Sequence, residues 1–350
     1  MTAPFRTNAD PALWPDRRLI YIAGYGRSGS TVLDIALSCH PRIEGLGELG
    51  AVFGAVAGRP IDDRSPVERR VAAAARPAAS GPTSPPAGGS AAADRRRLLA
   101  ADRLVRHLER LLPGPWPGAH RRARYRDLQA RLLHELHDQT GAPVLVDSSK
   151  TSWLRTWRLP LLAPIVPRID CVVVVRDLAD VVASVRRGHG ETLEHQRLPT
   201  LRAVLGWAVA TTSAVVIGRR VCGPDRTRLV RHDQLVADPG GQLTAIFDWL
   251  DLDPAGDAVA AGLTAGFEPR NQLVGNRVRS AGRVHIQRTA GGGAPLPRPA
   301  RLAVRLVATR VDRVALRRIE PVEPMPFSGR RAVGAGSDQP DGTTAEWRSA

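Results

Sequence analysis

Residues Gly24-Tyr25-Gly26-Arg27-Ser28-Gly29-Ser30-Thr31 read G-x-x-x-x-G-S-T. A loop that cradles a nucleoside triphosphate reads G-x-x-x-x-G-K-[ST], and its lysine and a magnesium ion neutralise the phosphates. Here Ser30 stands at the lysine position, and Arg27 supplies the positive charge three residues earlier. Gly24, Gly26 and Gly29 permit a tight path and close approach of a ligand. Ser28, Ser30 and Thr31 add hydroxyl donors, and backbone N–H groups at a helix start bind an anion whatever the side chains. Such a loop suits a transferred group of lower charge than a phosphoryl group. A sulfuryl group carries one fewer negative charge and can move on hydrogen-bond donors and fixed cations, with no metal.

Three further groups could act with this loop. Arg176 follows the apolar run Cys171–Val175, and Ser184 comes eight residues later. If Arg176 ends a strand and a helix follows, about two turns bring Ser184 back towards it, so that a guanidinium fork and a hydroxyl could grip one phosphate. The competing reading pairs Arg176 with Asp177 or Asp180 at the surface. Asp147-Ser148-Ser149-Lys150 stands just past another apolar run, and Lys150 is the only lysine of the chain. There it could meet the leaving-group side of a transferred group, or Asp147 could serve as a magnesium ligand of a kinase. An acceptor hydroxyl must also lose a proton. Glu48 is the first candidate base, Glu44 the fallback, and the competing role for Glu48 is to charge the next helix.

These segments together resemble the PAPS-dependent sulfotransferases, in particular the bacterial and Golgi-type members. Their 5′-phosphosulfate loop reads roughly P-[RK]-S-G-[ST]-T and is followed by a helix, a His-Pro turn and a glutamate; here "GYGRSGST" precedes "LSCHPRIEGLGELG". Gly26 stands where many members have proline. The resemblance implies 3′-phosphoadenosine 5′-phosphosulfate (PAPS) as co-substrate and its desulfonated form, PAP, as product. It implies Arg176 and Ser184 on the 3′-phosphate, Lys150 on the leaving-group side and Glu48 as base. "LVRHDQLVADP" resembles a later family segment, with His232 where a tyrosine can lie against adenine, and "NQLVGNRVR" resembles another, with Asn271 for a histidine and Arg279, or less surely Arg277, closing over the nucleotide. Cytosolic relatives carry a histidine base after the middle strand, where this chain has Ser152 and Trp153. The resemblance covers about residues 19–53 and 143–279. A magnesium-dependent P-loop kinase and a non-catalytic PAP-binding protein remain the alternatives.

The elements that must position these residues are legible as short apolar runs alternating with helical periodicity. Leu19–Ala23, Pro143–Val146, Cys171–Val175 and Thr227–Val230 read as buried strands. Helical spacing follows at Thr31–Cys39, after Arg176, and at Gly240–Leu250, and Ala203–Gly218 reads as a buried helix. This pattern predicts an α/β fold of three layers, P-loop-NTPase-like, with a central parallel sheet flanked by helices. Residues 17–320 are read as one sulfotransferase domain after an extension at 1–16. A helical insertion at about 54–142 contains a Pro/Gly/Ala/Ser-rich run at 76–93 that reads as disordered, and helical stretches at 66–75, 94–112 and 125–140; the 328–350 tail also reads as disordered.

The net charge of +16 is almost all arginine. It marks a solvated basic surface or attraction to an anionic ligand, and no nucleic-acid-binding motif accompanies it. Three cysteines without C-x-x-C spacing suit a reducing cytosol, and the N-terminus has no apolar signal core. The expectation is a cytoplasmic enzyme without a membrane span, acting on a small-molecule, sugar or lipid acceptor. Acceptor identity and oligomeric state are not legible.

Overall fold

The computed structural model describes residues 17–51, 119–150, 158–186, 199–272, 282–287, 298–325 and 327. The expected helices at 66–75 and 94–112, the run at 76–93, the N-terminal extension and the 328–350 tail lie outside the described residues.

In chain order the elements are β1 (Arg18–Ala23), α1 (Ser30–Leu37), β2 (Ile43–Gly45), α2 (Ala119–Thr140), β3 (Val144–Asp147), α3 (Arg158–Leu162) and β4 (Arg168–Val175). There follow α4 (Leu178–Arg186), α5 (Pro199–Val221), β5 (Thr227–Arg231), α6 (His232–Ala237), α7 (Pro239–Trp249), α8 (Gly256–Ala265), α9 (Arg298–Val314) and β6 (Glu320–Pro321). The six strands form one sheet in the order β2-β3-β1-β4-β5-β6. Every neighbouring pair is parallel. The four expected strands are present. The short edge strands β2 and β6 and the helix α9 are additions to the expectation.

Side chains alternate across a strand, so a sheet buried on both faces needs apolar residues at every position. β1 after Arg18 and β4 after Asp170 satisfy this. Leu19, Tyr21, Ala23, Cys171, Val173 and Val175 face one core with residues of α2, α3, α4, α5 and α9. Ile20, Ile22, Val172 and Val174 face the other with α1, α6, α7 and α8. The result is helix, sheet, helix in three layers, as the alternating pattern predicts. Near the start of β1, Arg18 ties the second core down. Its guanidinium pairs with Asp170 on β4 and donates to the Leu250 carbonyl.

The helix expected to be buried over Ala203–Gly218 is longer, and only one side of it is in the core. Ala203, Trp207, Ala210 and Ala214 are buried, whereas Leu205, Val209 and Val216 are exposed. Its apolar length would suffice to cross a membrane, but half of that stretch is packed inside the protein, as in the core helix of a globular domain. Among the described residues no other helix is long and apolar enough to span. All three cysteines are free thiols. Cys171 on β4 and Cys222 after α5, distant in sequence, meet, and that hydrogen bond together with burial pushes the Cys171 thiol well up.

Candidate active site

In a parallel sheet, ligands gather beyond the carboxyl ends of the strands, and the register brings the candidate residues to one such edge. Tyr21 pairs with Asp147 and Ala23 with Val173. β1, β3 and β4 end at Ala23, Asp147 and Val175, so Gly24, Ser148 and Arg176 each leave a strand at that edge. Val175 pairs with Arg231, which sets His232 level with Arg176.

The loop between β1 and α1 has little freedom. Gly24 has φ 136° and Gly29 φ 92°. A Cβ on Gly24 would collide with the Val174 carbonyl oxygen on the neighbouring strand, so only glycine fits there. Gly26 is different: nothing lies within 4 Å of its Cβ position, and the position tolerates a side chain. Arg27 adopts φ 73°, a costly conformation for a residue with a Cβ, of the kind that clusters at ligand clamps. Gly29 caps α1 without a side-chain hydrogen bond, leaving the first N–H groups of the helix free of the usual Ser, Asp or Asn cap. Ser28, Ser30 and Thr31 are buried at this turn, and the Ser28 hydroxyl has no hydrogen-bond partner among the described residues. An unpartnered buried hydroxyl is costly unless something accepts from it. An anion bound in the loop would do so.

The pair Glu48 and Lys150 is built by a zipper beyond the ends of β2 and β3. Leu46 N donates to Val146 O at 3.1 Å, and Ser148 N to Gly47 O at 2.9 Å, so the two chains stay in register past the strands. Asp147 then ties both segments: Oδ1 accepts from Leu49 N at 3.3 Å and from Ser149 N at 2.9 Å. Gly50 N donates to Ser149 Oγ at 2.8 Å. Lys150, with φ 64°, has its carbonyl held by the Tyr21 hydroxyl at 3.0 Å. Its ammonium reaches Glu48 Oε1 at 2.5 Å, with both side chains partly exposed at 17% and 18%. A carboxylate and an ammonium thus face solvent together at the sheet edge.

Asp147 itself does not turn to a ligand. Its Oδ2 accepts from Arg158 Nε at 2.8 Å and Nη2 at 2.7 Å, and it is fully buried. With Oδ1 engaged by Leu49 and Ser149, the carboxylate is a structural knot. The reading of Asp147 as a magnesium ligand, which supported the kinase alternative, is not upheld by these surroundings. Beside it, Asp34 of α1 accepts from Gly47 N at 3.1 Å and from Gln272 Nε2 at 3.4 Å. Burial pushes the Asp34 carboxyl up to about 7. Glu44, the fallback base, lies in β2, where Asn271 Nδ2 donates to its Oε1 at 3.0 Å and burial raises its pKa. Among the described residues, no cluster of three His, Cys, Asp or Glu side chains could hold a metal.

Arg176 is buried to 9% exposure and reaches the loop: Nη1 donates to the Arg27 carbonyl at 3.4 Å. Its Nε lies 3.8 Å from Asp180 Oδ2, a long contact, and Asp177 instead caps α4 by accepting from Ala179 N at 2.7 Å. The guanidinium thus touches both the anion loop and Asp180. Ser184 is half-buried on α4. Arg277 and Arg279 lie outside the described residues, as do Ser152 and Trp153.

Three supports were not foreseen. The His232 ring packs against Gly29, where a Cβ would meet its Cδ2 at 2.7 Å. Burial, and then the Arg176 charge, pull the His232 pKa down to about 4, so the ring is neutral at neutral pH. Tyr25 lies against Gly206 of α5, and Trp207 Nε1 donates to the Arg176 carbonyl at 3.0 Å. The glycine at 206 inside an apolar helix was the one available signal of that close approach.

A model of the Sulfotransferase family matches residues 20–256, and the chain belongs to that family, which makes it a transferase. Solved structures similar to it include the sulfotransferase domain of the Synechococcus olefin synthase. That domain is 18% identical, covers 88% of this chain and 97% of its own, and has a TM-score of 0.47. The sulfotransferase domain from the curacin biosynthetic pathway is 16% identical over 85% of this chain and 98% of its own, with a TM-score of 0.48. A sulfotransferase from Mycobacterium avium is 14% identical over 89% and 80%, with a TM-score of 0.47. Among curated proteins no sequence match was found.

Proposed function

We propose that this protein transfers the sulfuryl group of PAPS to a hydroxyl of a small-molecule, carbohydrate or lipid acceptor, without a metal ion. The observation that carries this reading is the Glu48–Lys150 pair, 2.5 Å apart, on the same sheet edge as an uncapped helix turn with an unpartnered Ser28 hydroxyl. PAPS, when bound, supplies a sulfuryl group activated by a phosphate leaving group. The loop N–H groups with Ser28, Ser30 and Thr31 bind the 5′ end. Arg176 and Ser184 hold the 3′-phosphate, and Arg279 closes over the nucleotide. Arg27 and Lys150 offset the negative charge that builds on the departing oxygen and the transferring group. Lys150 also orients the Glu48 carboxylate, which takes the acceptor's hydroxyl proton.

The test is incubation of the protein with labelled PAPS and fractionated host extract, with and without chelator, read by mass spectrometry. The expected result is an acceptor gaining SO₃, in equal yield in both arms. PAP binding with no sulfated product from any fraction would make the protein a nucleotide-binding relative that has lost the chemistry. ATP turnover that stops with chelator would return the kinase reading.

A further inference from the structure

Among the described residues, seven of the eight large apolar side chains exposed to solvent lie on α5 and α9. The two helices pack against each other on the same layer. On α5 the exposed residues are Leu201, Leu205, Val209 and Val216, at helical spacing along one face. On α9 they include Leu302 at 60% and Leu306 at 63% exposure, while Val304 and Val311 on the opposite side enter the core. Scattered surface leucines are ordinary, but seven exposed apolar side chains gathered on two helices that pack together mark an interaction surface.

On the two helices themselves the charges are almost all of one sign. Arg301, Arg305, Arg310 and Arg313 are exposed on α9, and Arg219 and Arg220 on α5. No carboxylate occurs on α5, and the single one on α9, Asp312, pairs with Arg231 and Arg317 outside the helix. A second copy of the chain on this face would set arginines against arginines. An anionic lipid surface complements both features at once, because leucines enter the boundary between headgroups and hydrocarbon while guanidiniums meet phosphates. We propose that the outward face of α5 and α9 docks this protein on an anionic membrane surface. The inner side of α5 carries Gly206 against Tyr25 and Trp207 on the Arg176 carbonyl. The docked helix would therefore separate the bilayer from the anion loop by about one helix diameter, roughly 10 Å.

Full-length protein is sedimented at physiological salt with vesicles of phosphatidylcholine alone, and with vesicles in which about one-third of the lipid is phosphatidylglycerol. The expected result is binding to the anionic vesicles only, weakened about tenfold by Leu302→Ser with Leu306→Ser and likewise by Leu201→Ser with Leu205→Ser. These leucines are exposed, so unchanged circular dichroism and melting are expected for both variants, and PAP binding serves as an independent check of the site. Failure of the wild type to bind anionic vesicles would overturn the proposal. So would unchanged binding by the leucine variants, which would reduce the effect to adsorption by charge. A concentration-dependent dimer lost in these variants would assign the face to a second copy. Leucine-dependent binding to polyglutamate as tight as that to vesicles would assign it to an acidic protein.

Discussion

Arg27 and Lys150 are two residues with a Cβ held at positive φ, and both are cations at the sheet edge. Pre-aimed donors of this kind are worth about 3 kcal/mol each when removed singly from an anionic transition state. Arg27→Ala and Lys150→Ala are each expected to slow sulfuryl transfer by about a hundredfold or more at unchanged fold; losses under about threefold for both would remove them from the chemistry. Glu48→Gln keeps the shape of the pair but not the base, and steady-state rates should fall by roughly 100-fold or more. His232 tests the loop's electrostatics. Its folded-state pKa, about 4, lies below the ordinary 6.5, so the unfolded chain binds the extra proton between these values. Its contribution to stability is full above pH 6.5 and declines as pH falls towards 4. The difference in melting temperature between wild type and His232→Asn is expected to narrow over that window, and a constant difference would contradict it. The loop, Arg176 and Lys150 stood out because each follows an apolar strand run, and Glu48 by its place after the loop; the pairing of Glu48 with Lys150 was not read from the sequence. His232 against Gly29 was not, since strands β1 and β5 are separated by about 200 residues of sequence and only the sheet order brings their ends together.

At the scale of elements, the site depends on the segment joining β2 to β3's end. Gly45 closes β2 where a Cβ would strike Asp34 Oδ1 and Ser38 Oγ. Gly45→Ala should cost about 1–3 kcal/mol, read from denaturant unfolding. Arg158→Ala leaves the buried Asp147 carboxylate without its partner, and a loss of about 3–5 kcal/mol is expected; an effect below about 1 kcal/mol would show that Asp147 is not the knot described. Asp34 adds a pH signature of the opposite sign to that of His232. Its pKa is raised from 3.8 to about 7, so its contribution is full below pH 3.8 and is lost as pH rises to 7. The stability advantage of wild type over Asp34→Asn should shrink across that range. The strands with continuous β-branched runs were legible in the sequence. β2 was not, because "IEG" is three residues long inside a glycine-rich stretch, too short for periodicity to register. α9 was hidden by its own arginines: "RPARLAVRLVATRVDRV" is helical on its apolar positions, but of its described side chains only Val304 and Val311 are buried, in a core that sequence alone did not place.

For the whole molecule, the three-layer fold followed from alternation, and the family from residues 20–256. The acceptor did not follow, because no motif of the sequence specifies it. The net charge of +16 has a place in this picture. Part of it, Arg27, stands in the glycine loop, and part lies exposed on α5 and α9. The central claim is that the glycine turn with Arg27 and the Arg176 side of β4 hold opposite ends of one adenosine bisphosphate. Calorimetric titration with PAP and with adenosine 5′-monophosphate, which lacks the 3′-phosphate, tests it most directly. The account predicts that wild type prefers PAP, and that Arg176→Ala weakens PAP by about 10- to 100-fold while leaving the monophosphate nearly unchanged. Equal weakening of both ligands, or no preference for PAP in the wild type, would contradict it.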